Sequence, residues 1–221
     1  MFPLRDDRPT WTSPVVTTLL IVACAFVFFH ELFLDEFSRE YFIRNYGVVP
    51  ARLRPVSLLT SMFLHGGWSH ILGNMLFLWA FGKSLEDAMG HGKFLTFYLV
   101  CGVAASLTHM FFNFDSRVPA VGASGAIAGV MGAYLIKFPR AYIRTLVFFG
   151  LFWVTDVPAV FILGYWFLTQ LASGYGSIAH TQVTESGVAW FAHIGGFLTG
   201  MILVSVMGTR SRYFARRSDS W

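Results

Sequence analysis

Six stretches of the chain are apolar over most of their length: roughly 14–34, 66–82, 92–112, 122–138, 157–173 and 187–207. None shows the strict two-residue alternation of a barrel strand. Only helices and closed barrels satisfy their own backbone inside a bilayer. The pattern therefore predicts an all-α, polytopic membrane protein, a six-transmembrane-helix bundle forming one domain over 1–221 with short tails 1–13 and 208–221. Several runs are short for a hydrocarbon core of about 30 Å, which implies local thinning or partial spans packed inside the bundle. Residues 35–60 read as a long outer loop resting on the interface. The Gly/Ser/Thr-rich segment 174–187 reads as an outer loop able to act as a mobile lid.

Composition agrees: 55% of residues are hydrophobic and 13% charged, which excludes an ordinary soluble domain. Cys24 and Cys101 both fall within apolar runs and read as small buried hydrophobes, not as a disulfide or metal pair. The basic residues set an orientation. With the N-terminus inside, the inner segments hold Arg5, Arg8, Lys83, Lys93, Lys137, Arg140, Arg144, Arg210, Arg212, Arg216 and Arg217, and the outer ones hold Arg39, Arg44, Arg52, Arg54 and Arg117. Eleven against five predicts N-in, C-in, and makes the basic C-terminus a membrane anchor instead of a nucleic-acid tail. The first run continues past the lipobox-like "IVAC" to Phe29, so it reads as a retained helix and not as a cleaved signal.

Polar side chains inside spans are costly and mark function. Thirteen residues separate His70 from Lys83 and Ser124 from Lys137, and fourteen separate His193 from Met207. At about 1.5 Å per residue, all three lie roughly 20 Å above the inner boundary. Small residues decide whether these levels can meet. Gly125 and Gly129, with Ala128 and Gly132, form small-xxx-small rows on the fourth run, and Ala192, Gly196 and Gly200 form one on the sixth. Such rows let backbones approach closely in lipid. If the two faces pack together, a serine comes within reach of an imidazole able to take its proton.

Acyl transfer also needs donors for the developing oxyanion. His70 and Asn74, spaced i, i+4, share one helical face, and the backbone N–H groups of Ser124 and Gly125 stand at a helix N-terminus without intrahelical acceptors. Asp115, Asp156 and Glu185 lie in loops or at helix ends, so a Ser–His dyad is expected in place of a triad.

"HGGWSHILGNMLFLWAFG", "GASGAIAGVMGAY" and "AHIGGFLTG" resemble, in order, three signatures of the rhomboid family of membrane-embedded serine proteases. The similarity covers roughly residues 40 to 207 and implies a six-helix bundle with a water-filled cavity open to the outer face. It implies Ser124 as nucleophile, His193 as base, and His70 and Asn74 as oxyanion side chains. Gly122 is implied to belong to the loop before the fourth helix, and His65 to stabilise the region. Transmembrane protein substrates and the lipid bilayer are the implied partners, with no cofactor, no metal and no nucleic acid. With no transit peptide or appended domain in view, the cytoplasmic membrane of a bacterium is the expected location.

Two departures stand out. Many members carry Trp-Arg in the first outer loop, where this chain has Val56-Ser57, a difference that bears on how the loop is anchored. Some place an aromatic four residues after the serine to stack on the base; Ala128 is there instead, so His193 must be oriented some other way. Trp68, Trp79, Trp153, Trp166 and Trp190 read as interface or lipid-facing anchors, and Phe77 and Phe81 as core, while Trp166 and Phe167 are candidates for a lateral gate. Other protease chemistries are excluded: His65 and His70 lie five apart with no HExxH motif, and no pair of aspartates lies within the spans.

Overall fold

Each apolar run is the seat of a helix in the computed structural model, which describes residues 2–179 and 189–209. In chain order the elements are β1 (Phe2–Asp6), α1 (Val15–Phe33), α2 (Glu36–Tyr46), α3 (Ser57–Thr60), α4 (Trp68–Phe77), α5 (Lys83–Met89), α6 (His91–Phe112), α7 (Ser124–Lys137), β2 (Tyr142–Phe149), β3 (Leu151–Pro158), α8 (Ala159–Ala179) and α9 (Trp190–Met207). Among the described residues α1, α6 and α9 are individually long and apolar enough to cross a membrane, and α7 is a shorter apolar helix. The expected interfacial loop 35–60 is largely ordered as α2 and α3. Asp35 caps α2 by accepting from the Ser38 N–H at 3.0 Å.

The all-α expectation needs one correction. Residues read as an N-terminal tail and an inner loop build a three-stranded antiparallel sheet in the order β1-β2-β3. The segment 142–158 is dense in aromatic and β-branched residues, which favour strands, and Gly150 at its bend takes a φ of +77°. Arg144 stands directly opposite Asp156 in the β2–β3 register. Its guanidinium donates to that carboxylate at 3.1 Å and holds it below the usual carboxylate range. On the other edge β1 pairs with β2, its register slipping between Pro3 and Arg5, where proline has no N–H to offer.

The second helix is also longer than expected. One wide π-helical segment, Leu78–Gly82, carries α4 into α5, and the run ends only at Gly90, whose φ is +84°. Lys83 is therefore not a boundary marker. It pairs with buried Asp6 at 3.4 Å, and the Tyr134 hydroxyl donates to Asp6 at 2.8 Å. The next residues of α5 hold the N-terminal segment. Glu86 accepts from the Val16 and Thr17 N–H groups at 2.8 Å each, capping α1, whose preceding Pro14 offers no side-chain cap. Asp87 accepts from the Trp11 and Thr12 N–H groups at 3.0 and 2.9 Å.

At the far end of the 157–173 run, α8 continues to Ala179, so residues 174–179 of the expected lid are helical, whereas 180–187 lie outside the described residues. Arg210, Arg212, Arg216 and Arg217 of the basic tail lie outside them too.

Helix α7 occupies the centre, buried from Gly125 through Tyr134. The small-residue rows explain how. A Cβ at Gly196 would strike the Gly125 carbonyl oxygen, and one at Gly200 the Gly129 carbonyl oxygen. A Cβ at Gly129 would meet Cys101 of α6 on the other side. α7 and α9 thus touch backbone to backbone, as the glycine spacing requires.

Candidate active site

Ser124 is the first residue of α7, where the N–H groups of the opening turn have no intrahelical acceptors. The preceding loop is held firmly. The Val48–Ala120 bridge and a 2.8 Å bond from the Gly122 N–H to the Ser61 carbonyl fix it. Gly122 has a φ of +119°, a region that L side chains rarely adopt, and an added Cβ would lie 2.6 Å from His70 Nε2. That position accommodates only glycine on both counts.

His193 lies in the first turn of α9, and the close α7–α9 packing brings its Nε2 to 2.8 Å from Ser124 Oγ. Its other ring nitrogen, Nδ1, is 2.7 Å from Gln170 Oε1 on α8. Trp166 of α8 lies beside the imidazole at a centroid distance of 5.6 Å, and Trp190 meets it edge-on at 6.3 Å. These two tryptophans pack at the site, which departs from their reading as interface or lipid-facing anchors and leaves Trp166 as a gate candidate; Trp68, Trp79 and Trp153 are exposed. Phe167, a gate candidate, stacks on Phe197 of α9 at 4.4 Å. Phe81 is fully buried against Tyr134, and Ala128, also buried, is replaced as an orienting neighbour by the α8 side chains.

An open cavity of about 530 Å³ lies against this pair. Its lining includes His70, Asn74, Phe77, Ser124, Trp166 and His193. The structure therefore brings together all four side chains singled out from the sequence. Asn74 is 8% exposed, and its Nδ2 has no hydrogen-bond partner among the described residues. A buried donor without an acceptor calls for a functional explanation. On His70, Nδ1 lies 3.4 Å from the Gly66 N–H, a long contact that favours the neutral tautomer with its proton on Nε2.

His65 is fully buried behind His70, with ring centroids 5.1 Å apart. Its Nδ1 lies 3.2 Å from the Phe63 carbonyl, and its backbone N–H donates to Glu31 of α1 at 3.2 Å. It ties the loop before α4 to α1. In the first outer loop Ser57 is buried and donates to the Arg54 carbonyl at 2.7 Å, while Val56 is exposed. His109 sits in the last turn of α6, and His180 lies outside the described residues. Among the described residues no group of three or more His, Cys, Asp or Glu could hold a metal ion.

The sequence reading missed Gln170, although its signal was present: a lone side-chain amide in an otherwise apolar or small-residue helix.

Such an arrangement joins a hydroxyl, an imidazole base and convergent N–H donors around one open cavity. Comparison with known proteins points the same way. A family model described as the Rhomboid domain matches residues 52–210, a range that contains every side chain of the cavity named above. Rhomboid protein 1, mitochondrial, of Saccharomyces cerevisiae is 30% identical over 171 residues, 76% of this chain and 45% of that protein. Rhomboid protease GluP of Bacillus subtilis is 32% identical over 154 residues, 68% of this chain and 26% of that protein. RHOMBOID-like protein 4 of Arabidopsis thaliana is 34% identical over 156 residues, 71% and 35% respectively. The chain spans less than half the length of each of these relatives. With a family match over most of its residues and a helical membrane architecture, the chain belongs to the rhomboid family.

Proposed function

We propose that this protein is an intramembrane serine endopeptidase that cuts peptide bonds in or near transmembrane segments of other membrane proteins. The observation that carries the proposal is the 2.8 Å contact between Ser124 Oγ and His193 Nε2 at the edge of an open cavity. Ser124 attacks the carbonyl while His193 takes its proton and returns it to the leaving amine. Water, deprotonated by the same imidazole, then attacks the acyl ester, releases the acid and restores the Ser124 hydroxyl. The oxyanion is held by His70 Nε2–H, by Asn74 Nδ2–H and by the backbone N–H groups of Ser124 and Gly125 at the positive end of α7. Gly122, Gly129, Gly196, Gly200 and His65 support the site structurally, by allowing close approach or by bracing the loop. A helical substrate must unwind locally, because a helix hides its carbonyls in hydrogen bonds. Small and helix-breaking residues near the scissile bond are therefore expected. The chemistry needs no cofactor or metal, and chelators should leave the rate unchanged.

The proposed topology is six spans, N-in and C-in, in a bacterial cytoplasmic membrane. Two pairings support the alternation. β1 pairs with β2, which puts the N-terminal segment and the α7–α8 connection on one side. Val48 pairs with Ala120, which joins the α1–α4 and α6–α7 connections on the other. The test is cleavage of a transmembrane reporter by the protein reconstituted in vesicles. Ser124→Ala and His193→Ala should each abolish cutting; undiminished cutting in either would refute the assignment, and an inert wild type would mean a client-binding protein without catalysis.

A further inference from the structure

Gln170 has no role in the chemistry above, yet its geometry is specific. It is 5% exposed, on α8, and joins the base from the side opposite the serine. The orientation of its amide follows from its neighbours. Gln170 Nε2 lies 3.4 Å from the Trp166 carbonyl and 3.3 Å from Thr169 Oγ1. Thr169 Oγ1 itself donates to the Trp166 carbonyl at 2.6 Å, so it has only lone pairs to offer Gln170. A flipped amide would set its oxygen against a carbonyl oxygen and a hydroxyl lone pair. Oε1 must therefore face His193. An acceptor at 2.7 Å from Nδ1 requires the proton there, which leaves Nε2 with its lone pair directed at Ser124 Oγ. Four hydrogen bonds then run in one direction across three helices: Ser124 O–H to His193, His193 N–H to Gln170, Gln170 N–H to Thr169, and Thr169 O–H to the Trp166 carbonyl.

We infer that Gln170 is a positioning residue for the base: it fixes the His193 tautomer and ring plane that make Ser124 nucleophilic, the part a carboxylate takes in a Ser-His-Asp triad. The inference rests on the reading of Ser124 and His193 as nucleophile and base. A neutral amide suits an acceptor placed within the membrane, since a carboxylate there carries a desolvation cost. It also answers how His193 is oriented with Ala128 in place of a stacking aromatic.

The merely structural alternative is an interhelical hydrogen bond that holds α8 to α9. Kinetics separate the two. In the full chain reconstituted in vesicles, Gln170→Met keeps the length of the side chain and removes the acceptor. It should lower kcat for the transmembrane reporter about ten- to a hundredfold, the range expected for a buried hydrogen bond, with KM within about twofold. Fluorophosphonate capture of Ser124 should slow in parallel. Gln170→Glu restores an acceptor and should recover much of kcat. Among the described residues, the titratable groups close enough to act electrostatically on His193 are the imidazoles of His70 on α4 and His109 on α6. A carboxylate added beside them should favour the charged imidazole and move the acid limb of the pH–rate profile to higher pH.

Wild-type kcat in Gln170→Met, a rise in KM alone, or an unmoved acid limb in Gln170→Glu would each overturn the inference. Persistent cutting by Ser124→Ala would instead overturn the underlying assignment, so the two failures are distinct.

Discussion

Gly196 lies one helical turn beyond His193, and its contact with the Gly125 carbonyl lies one residue beyond Ser124. The spacing of α7 and α9 at that point sets the distance between Ser124 and His193, the proposed nucleophile and base. In Gly196→Ala the new Cβ would fall well inside van der Waals contact distance of the Gly125 carbonyl oxygen, and backbone cannot swing aside as a side chain can. Restoring an ordinary contact requires the helices to part by roughly 1 Å. The Ser124–His193 contact, 2.8 Å in the native packing, would then exceed hydrogen-bonding distance. A misplacement of about 1 Å at reacting groups costs on the order of a hundredfold in rate. Overpacking should also cost about 1–3 kcal/mol of stability. Gly164→Ala on α8 is the matched control, because among the described residues no atom beyond its own turn of helix lies within 4 Å of the added methyl. The assay is the rate of fluorophosphonate capture and of reporter cleavage, with melting temperature followed in parallel. Gly196→Ala should be about a hundredfold slower and Gly164→Ala unchanged. Native rates in Gly196→Ala would show that helix spacing does not align the dyad, and the reasoning from small residues to chemistry would fail.

Two further outcomes test the surroundings. Gly122→Ala combines a φ of +119° with a methyl 2.6 Å from His70 Nε2, so it should lower stability by about 1–3 kcal/mol and displace His70, a proposed oxyanion donor; melting and cleavage rates that both match wild type would contradict this. Glu86→Ala removes the acceptor of two α1 N–H groups and should lower stability by at least about 2 kcal/mol, roughly 4–8 °C in a chain of this size. Glu86→Ala should still cut near the native rate well below its melting temperature, and early loss of activity without a shift in melting would oppose the capping role.

Much of the helical frame was legible because the signals were redundant. Long apolar runs, bounded by glycine, proline or charge, gave helices such as α1, α6 and α9 within a few residues of their observed ends. The approach of Ser124 to His193 was legible from glycine rows, since backbone contact in lipid has few other sequence solutions. What escaped notice was less local. The strands β2 and β3 carried a clear aromatic and β-branched signal, but Arg144 was read for orientation and Asp156 only as a loop carboxylate, and β1 is a strand only because β2 offers it an edge. The depth count from Lys83 overlooked that a basic residue can point inward when a buried partner such as Asp6 meets it. Gln170 could be seen as a polar residue in a span, but its meaning depends on which helix faces α9, and a linear sequence does not give that. Trp166 and Trp190 were assigned to the interface or lipid on residue type, with Trp166 also a gate candidate, whereas packing sets both against the imidazole.

The most direct measurement is to locate the covalent adduct by mass spectrometry after the vesicle-reconstituted protein reacts with a fluorophosphonate, in wild type and in His193→Ala. A single adduct on Ser124, formed rapidly in the wild type and nearly absent without the imidazole, is the expected result. Labelling on another residue, or equal labelling of Ser124 in both proteins, would contradict the activation of that hydroxyl by His193.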